Sequence, residues 1–394
     1  MRTLLAAVLL ASSAIAQKSA KEEICPWCKN DVKILAAAGC VSHGPMQIGK
    51  KGSSEHSHDY PGKPWIYLET AHFRWATSMG SEPVSLKDRP RVEAELARLR
   101  KAMPSIPTRV ATLDPHLRLH LTAMKAEELY TRFQAILAVQ DGDFPDSRQP
   151  TGPYMGDGRF LGEKEKFEVV LHSNRKTHHM FTKEQMGVLV TDALRWHFPK
   201  IHKMCASLPA EDGDLRQDTF LFPHIAHCTA HLLFCAYKHF SFDPPIWLDE
   251  GLAHALEFEA GKDFNVTYCS EEGAAPDRES SGNWAGKAKE LLEKGKATSL
   301  AELMHRKTFG ELTKEDHVTA WSKVRFLLDT RAVETAKFLG LIKGQLDEQG
   351  YPSNKDLPGL QRRSLKECYS WTPEQFDDAW AAWVKKPPAT EPKK

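Results

Sequence analysis

Residues 220–257 constrain the fold most, because they place two histidines and a glutamate at spacings that suit one metal ion. Residues 221–240 mix apolar and polar side chains with roughly the period of a buried helix, and Pro223 falls near its first turn. His227 and His231 are then one helical turn apart, about 6 Å along the axis, with both imidazoles on one face. The spacing therefore predicts a helix that presents two metal ligands together.

A second helix is predicted to bring a carboxylate back to these histidines. Eighteen residues separate His231 from Glu250, which allows the first helix to end, the chain to turn through two prolines, and a new helix to begin. Two histidines and one glutamate leave a fourth position on Zn²⁺ open, as in a catalytic zinc site. The histidine spacing alone is weak evidence, because His116 and His120 share it without a following carboxylate segment.

At these residues the chain resembles the gluzincin metallopeptidases, specifically the compact peptidase-MA-like group. The resemblance lies in the His-x-x-x-His helix and in the segment Trp-Leu-Asp-Glu-Gly-Leu-Ala at residues 247–253. It covers roughly residues 64–385 and is strong only in residues 220–257. It implies that Zn²⁺ is the cofactor and that its ligands are His227, His231 and Glu250.

The chain departs from the family at the general base, because Cys228 stands where the family has glutamate. A thiol is too short to reach the attacking water in the same way, and its pKa differs. We therefore expect hydrolysis to be lost or strongly altered, or the zinc to be bound by Cys228 itself. If hydrolysis is retained, Asp249 and Glu257 are candidate proton acceptors, and Tyr268 and His317 are candidates for stabilising the oxyanion.

The function predicted from these residues is that of an exported, zinc-binding, divergent metallopeptidase with weakened or absent peptide hydrolysis. The alternative is a pseudo-peptidase that binds peptides or envelope partners in the same cleft without cutting them. A third interpretation is a helical scaffold with incidental histidines. The Gly-x-Met-Glu-Asn signature of aminopeptidases is absent, so the sequence gives exopeptidase specificity no support.

Residues 1–16 are predicted to be a signal peptide and not part of the fold. Arg2 is followed by an apolar stretch, Leu4–Ile15, and by the small-residue cleavage pattern Ala-Ile-Ala. We expect a periplasmic or extracellular protein with no membrane span after cleavage; the alternative is an uncleaved anchor. The 53 basic and 52 acidic residues give a formal net charge of only +1. Without an excess of positive charge, nucleic acid is not an expected partner.

Residues 17–62 are predicted to be a segment rich in cysteine and histidine, followed by a linker. Cys25 and Cys28 form a Cys-x-x-Cys pair, and eleven residues separate Cys28 from Cys40. His43 follows Cys40 by three positions. Four such ligands suit a small tetrahedral zinc site. Because export permits disulfides, a disulfide between Cys25 and Cys28 is the competing interpretation, and Cys269 with Cys368 is a further candidate pair.

Residues 44–62 are predicted to be a flexible connector whose histidines are solvated. Residues 65–75 are rich in aromatic and β-branched residues and are predicted to form one strand. Residues 167–171 are predicted to form another strand, and the family resemblance implies that its edge could pair with an extended peptide. The three histidines that follow this strand, His172, His178 and His179, are predicted to lie on the surface; the alternative is that they line a cleft.

Helical periodicity dominates the remainder of the chain. It predicts helices at residues 91–103 and 115–139. Beyond residue 257, a polar loop at 270–283 precedes predicted helices at residues 287–294, 300–304, 318–329, 332–344, 361–368 and 373–383. The expected fold class is α+β, with a small N-terminal sheet followed by a mainly helical, zincin-like body over residues 63–386 and a disordered tail over residues 387–394.

Overall fold

The computed structural model describes residues 24–146, 153–261 and 283–386. Within these ranges a small mixed sheet precedes a mostly helical body, so the predicted α+β class is confirmed. Several predictions concern residues outside these ranges: the signal peptide (1–16), most of the polar loop (270–283), the tail (387–394), Tyr268 as an oxyanion candidate and Cys269 as a disulfide partner.

The strands of the described residues form one mixed sheet and two short pairs. The strands are β1 (Cys40–Ser42), β2 (Gln47–Ile48), β3 (Lys51–Gly52), β4 (Ile66–Thr70), β5 (Phe73–Thr77), β6 (Glu82–Pro83), β7 (Thr112–Leu113), β8 (Phe167–His172), β9 (Leu194–Phe198) and β10 (Lys203–Pro209). The main sheet has the order β1-β4-β5-β8-β10-β9. Strands β5, β8 and β10 are parallel, whereas β9 is antiparallel to β10.

The helices form most of the body. They are α1 (Val32–Ala37), α2 (Ser53–Asp59), α3 (Arg89–Leu99), α4 (Pro115–Leu137), α5 (Arg175–Phe181), α6 (Asp218–Ala236), α7 (Ile246–Ala260), α8 (Trp284–Glu293), α9 (Leu300–Leu303), α10 (Lys314–Thr330), α11 (Ala332–Ile342), α12 (Leu357–Tyr369) and α13 (Pro373–Val384). The helices predicted at residues 91–103 and 115–139 are confirmed as α3 and α4. The six helices predicted after residue 257 are confirmed as α8 to α13.

Local sequence explains the bounds of α4. The side chain of Asp114 accepts hydrogen bonds from the backbone N–H groups of His116 and Leu117 at 3.0 and 3.2 Å. Pro115 occupies the first helical position, where the missing N–H costs nothing. The helix ends at Ala138, which adopts a left-handed conformation with φ of 52°.

The prediction of a single strand over residues 65–75 is wrong. The chain turns back at residues 71–72, and β4 pairs with β5 as an antiparallel hairpin, with Ile66 opposite Thr77. At the turn, the Thr70 hydroxyl accepts a hydrogen bond from the backbone N–H of Phe73 at 3.3 Å. Both strands are rich in aromatic and β-branched residues, so composition does not reveal where one strand ends.

The prediction of an unstructured connector over residues 44–62 is also wrong. This stretch forms β2, β3 and α2. His56 is fully buried, with its ring 4.4 Å from that of Trp65 and its Nδ1 3.0 Å from the Tyr67 hydroxyl. Only His58 is exposed, as predicted. Aromatic residues of the following strand therefore draw the connector into the core.

Two of the three histidines predicted for the surface are buried. His172 and His178 are each 0% exposed, whereas His179 is partly exposed. The rings of the two buried histidines lie on either side of the Ser207 hydroxyl, at 3.1 Å and 3.0 Å. Burial lowers the pKa of His178 to about 4, so this histidine is neutral at pH 7.

The prediction that the strand at residues 167–171 offers a free edge is wrong. Strand β8 pairs on one side with β5 and on the other with β10. Its backbone groups are therefore already used within the sheet. The strands at the two ends of the sheet are β1 and β9.

Helix α6 starts three residues earlier than predicted, so Pro223 is its sixth residue and not part of its first turn. Among the described helices, α6 is long and apolar enough to cross a membrane, but 78% of its most apolar window is buried inside the protein. It packs against α4, β9 and β10 and makes an extensive contact with α7. These contacts are those of a core helix.

Buried basic side chains hold both ends of α6. At the start, the guanidinium of Arg118 on α4 donates to the carboxylate of Asp218, with Nη2 2.7 Å from Oδ1. At the end, the amino group of Lys343 donates to the carbonyls of Cys235, His239 and Phe242 at 3.0, 2.9 and 3.2 Å. The first of these contacts satisfies a carbonyl that the end of α6 leaves without a helical partner, and the other two fix the chain that follows the helix.

Candidate metal centre

Helices α6 and α7 bring together the three residues predicted to bind zinc. The Nε2 atoms of His227 and His231 lie 3.0 Å apart. Oxygens of Glu250 lie 3.9 Å from the first Nε2 and 3.7 Å from the second. Two zinc–nitrogen bonds at a tetrahedral angle would put their nitrogens about 3.3 Å apart. The three ligand atoms are thus close to the spacing that one ion requires, and all three side chains are 0% exposed.

The other nitrogen of each histidine faces a carboxylate. Nδ1 of His227 lies 3.1 Å from Oε2 of Glu257, and Nδ1 of His231 lies 2.9 Å from Oδ2 of Asp249. Nδ1 of His227 donates to Glu257, and the charge of Asp249 favours a proton on Nδ1 of His231, although that contact lacks hydrogen-bond geometry. The lone pairs of the two Nε2 atoms are then directed at each other. Two lone pairs 3.0 Å apart repel unless a cation lies between them. The arrangement is therefore suited to a metal ion.

Asp249 and Glu257 were predicted as candidate proton acceptors. The structure puts each of them behind an imidazole, on the side away from the Nε2 atoms. A carboxylate in that position orients the histidine and increases its basicity as a ligand. The geometry thus supports a positioning role for both carboxylates.

Glu250 carries a second sign of a cation site. Within the described residues, neither of its buried carboxylate oxygens accepts a hydrogen bond of normal geometry. Oε2 lies 3.2 Å from Nε2 of His254 and 3.4 Å from Nδ1 of His317. Burial opposes ionisation, but these histidines outweigh it and hold the pKa of Glu250 well below its ordinary value. A buried carboxylate that is ionised and poorly hydrogen-bonded favours a metal ligand role.

His254 belongs to the site although the sequence analysis did not select it. It follows Glu250 by four residues on α7, the same spacing that identified the first two histidines. Its Nδ1 lies 3.0 Å from Glu257, and its Nε2 lies 3.0 Å from Nδ1 of His317 on α10. His317, predicted as an oxyanion candidate, therefore does lie at this centre. The spacing of His254 was a usable signal.

Electrostatics keeps His227 and Glu257 in the forms that coordinate a metal, whereas it favours the charged form of His254. Burial lowers the pKa of His227 to about 4, so its imidazole is neutral at pH 7. Burial disfavours ionised Glu257, but its contacts with His227 and His254 outweigh burial and lower its pKa to about 2. Burial likewise opposes charge on His254, yet Glu250 and Glu257 raise its pKa. Neutral imidazole and ionised carboxylate are the states in which these groups coordinate a cation.

Cys228 directly follows His227 on α6, but its thiol is not part of the ligand groups of this centre. Its side chain is 2% exposed and belongs to the main apolar core, with Sγ 4.0 Å from Nε2 of His224. Several groups of described residues have ligand atoms within 4.8 Å of one another, and those around His227 and Glu250 do not include Cys228. The geometry gives no support to Cys228 as a metal ligand.

The glycine after Glu250 allows α7 to approach α10. A Cβ atom on Gly251 would lie 2.7 Å from the carbonyl oxygen of Ala320 and 2.6 Å from a methyl group of Val324. Both distances are shorter than real carbon contacts. The residue after the candidate ligand Glu250 must therefore be a glycine for α7 to pack this closely against α10.

We expect Gly251→Ala to lower the free energy of unfolding by about 1–3 kcal/mol, because the added methyl overpacks the contact between α7 and α10. The shift of α7 should also displace Glu250 and weaken zinc binding. Urea unfolding and a zinc competition titration measure the two effects. The matched control is Gly142→Ala, where a Cβ meets nothing within 4 Å and stability should hold within about 0.5 kcal/mol. Equal stability of both variants would contradict this packing role.

A second cluster of metal-ligating side chains lies in the N-terminal segment. Cys25, Cys28 and His43, three of the four residues predicted there, have ligand atoms within 4.8 Å of one another. The fourth member is His120 on α4 and not Cys40. His120 belongs to the histidine pair that the sequence analysis set aside. Cys40 lies beside the cluster, with Sγ 3.8 Å from Nδ1 of His120.

The thiols of this cluster differ in acidity. A hydrogen bond from the thiol of Cys25 lowers the pKa of Cys28 to about 7, and the same contact raises the pKa of Cys25. Burial raises the pKa of Cys40 to about 12, so Cys40 stays protonated. In the structure Cys25, Cys28 and Cys368 are free thiols.

No protein-family model matches this chain, and no curated protein matches it significantly. Function is therefore inferred from the geometry above and from the motif resemblance.

Proposed function

We propose that this protein is an exported zinc-binding protein with a gluzincin-like centre. It is a divergent metallopeptidase whose hydrolysis of peptides is weak or lost. One observation carries the proposal: the Nε2 atoms of His227 and His231 face each other at 3.0 Å beside Glu250, while carboxylates occupy both Nδ1 positions. This is a ligand set for one cation.

Zinc is the ion that this ligand set fits best. Two neutral imidazoles and one carboxylate, supplied by His227, His231 and Glu250, are typical of catalytic zinc with an open fourth position. Bound there, Zn²⁺ would polarise a peptide carbonyl and lower the pKa of a water molecule. Asp249 and Glu257 would hold the two imidazoles in the ligating tautomer.

Weak or absent hydrolysis follows from the missing general base. A carboxylate that accepts the proton of the attacking water must lie within about 3 Å of it. Asp249 and Glu257 face the Nδ1 atoms behind the ligands, and the Cys228 thiol is too short to take the place of the family's glutamate. His317 lies beside Glu250 and is the best-placed remaining group for proton transfer or for oxyanion stabilisation.

The burial of the centre favours a second candidate, a non-catalytic protein that binds peptides or envelope partners. His227, His231, Glu250, His254 and Glu257 are all 0% exposed, which gives little room for a scissile bond beside the ion. Since β8 is paired on both sides, a peptide that binds by strand addition would have to use β1 or β9.

Elemental mass spectrometry of the mature protein tests the metal centre. We expect the double variant His227→Ala/His231→Ala to hold one zinc ion fewer per chain than the wild type. The matched control is His58→Ala/His305→Ala, which removes two exposed histidines and should keep the wild-type zinc content. Equal metal content in the wild type and both variants would reject the centre and leave the helical scaffold with incidental histidines.

A further inference from the structure

The turn that follows Cys25 folds two thiols inward. The backbone N–H of Lys29 donates to the carbonyl of Cys25, and that of Asp31 donates to the carbonyl of Cys28, both at 2.9 Å. Lys29 and Asn30 adopt left-handed conformations, with φ of 55° and 56°. The resulting turn is tight, and both thiols are 0% exposed.

Two histidines from distant parts of the chain meet these thiols. Nδ1 of His43 lies 2.7 Å from the carbonyl oxygen of Tyr67, to which it donates, so its Nε2 carries the lone pair. That Nε2 lies 3.2 Å from Sγ of Cys28. Nε2 of His120 on α4 lies 3.6 Å from Sγ of Cys25. Each thiol is therefore matched with one imidazole nitrogen.

The four ligand atoms have the spacing of a tetrahedral zinc site. Zinc–sulfur bonds of about 2.3 Å and zinc–nitrogen bonds of about 2.0–2.1 Å put sulfur and nitrogen about 3.6 Å apart. The two measured separations are 3.6 and 3.2 Å, and all four atoms lie within 4.8 Å of one another. We propose that Cys25, Cys28, His43 and His120 bind a second zinc ion.

The chemistry of the ligands assigns this site a structural role. Two thiolates and two imidazoles select zinc among the available divalent ions. Four protein ligands leave no position for water or substrate, which distinguishes the site from the centre at His227. The ion would fasten the turn at residues 25–28 and the end of β1 to α4. Because the unfolded chain has no preformed site, zinc binding would contribute directly to folding.

Geometry excludes Cys40 from the ligand set. Its Sγ lies 3.8 Å from Nδ1 of His120, whereas Nε2 of the same ring faces Cys25. The two nitrogens of an imidazole direct their lone pair and proton to different sides of the ring, so an ion at Nε2 cannot be reached from Nδ1. Cys40 also donates weakly to the carbonyl of Ala38 at 3.6 Å. Cys40 therefore lies beside the site without contributing a ligand.

Two variants of the full mature chain test whether the fourth ligand is His120, as the structure indicates, or Cys40, as the sequence spacing suggests. We expect His120→Ala to lose one zinc ion per chain, or to lower zinc affinity at least tenfold in a chelator competition titration. We expect Cys40→Ser, the matched control, to keep the wild-type zinc content. Loss of zinc in Cys40→Ser together with full zinc in His120→Ala would overturn the proposal.

Cobalt substitution gives a readout that needs no variant of the thiolate site. Co²⁺ bound by two thiolates has a strong thiolate-to-metal charge-transfer band, which a site of two histidines and one glutamate lacks. The band should appear in the wild type and persist in His227→Ala/His231→Ala, so failure of the two metal sites can be told apart. A peptide map that links Cys25 to Cys28 by a disulfide, with no charge-transfer band, would reject the site.

Discussion

Replacing Cys228 by glutamate is expected to raise peptide hydrolysis by about 10²–10⁴-fold over the wild type, which is the usual contribution of a positioned general base. Residue 228 directly follows the ligand His227 on α6, the position at which the gluzincins carry their glutamate. A glutamate side chain is longer than that of cysteine. It can therefore reach from the helix toward the open position of the zinc ligand set.

The experiment measures kcat/KM with a mixture of fluorogenic peptides in excess zinc. Cys228→Gln is the matched control, because it has the size and polarity of the glutamate side chain but cannot accept the proton. The gain should be absent in Cys228→Gln and should vanish when His227→Ala is added to Cys228→Glu. Thermal unfolding must accompany the assay, since residue 228 is 2% exposed and a longer side chain costs packing energy.

One outcome of this experiment would support the second candidate function, a protein that binds peptides without cutting them. If Cys228→Glu folds, holds the same zinc as the wild type and remains as inactive as Cys228→Gln, the general base was not the missing element. The burial of all the candidate ligands would then be the cause, because a peptide could not reach the ion. Binding, not cutting, would be the function of the cleft.

The sequence predicted the grouping of His227, His231 and Glu250 well because its information is local. The four-residue spacing of His227 and His231 fixes their common face once the segment is helical, and the length of the return loop fixes where Glu250 can reach. The helices of the C-terminal half follow from periodicity for the same reason. His254 was missed only because the spacing rule was not applied to α7.

What the sequence could not predict depends on distant partners. His120 is 92 positions from Cys28, and only the docking of the N-terminal segment on α4 brings them together. The burial of His56 depends on the rings of Trp65, just before β4, and Tyr67 in β4, and that of His172 depends on Ser207 of β10. Hairpin formation by residues 65–75 depends on a two-residue turn within an otherwise uniform run of strand-forming residues. No local sequence pattern predicts these contacts or the position of this turn.

The second large effect concerns the buried ion cluster that holds the start of α6. The guanidinium of Arg118 is 1% exposed and contacts three carboxylates: Asp218 at 2.7 Å, Glu211 at 3.2 Å and Glu82 at 3.7 Å. Burial opposes ionisation of Asp218, but Arg118 outweighs it and lowers the pKa of that carboxyl. Burial and the neighbouring Asp218 raise the pKa of Glu82 to about 8, so removing the guanidinium would leave the buried charge of Asp218 without its main cation.

We expect Arg118→Met to lower the free energy of unfolding by about 3–5 kcal/mol, the usual cost of removing one partner of a buried ion pair. Methionine preserves most of the side-chain volume, so the loss reports on charge and hydrogen bonding rather than on a cavity. Urea unfolding at pH 7 provides the measurement. Because Asp218 starts the helix that carries His227 and His231, zinc affinity should fall in the same variant.

An exposed pair and a compensating double variant test the cause. Arg363→Met removes the partner of Asp356 at 3.0 Å, but both side chains are about 60% exposed, so stability should change by at most about 1 kcal/mol. Arg118→Met/Asp218→Asn should recover part of the lost stability, because it removes the main uncompensated charge. If Arg118→Met unfolds like Arg363→Met, the cluster does not anchor α6, and the position of the two histidines must depend on the packing of α6 against α7.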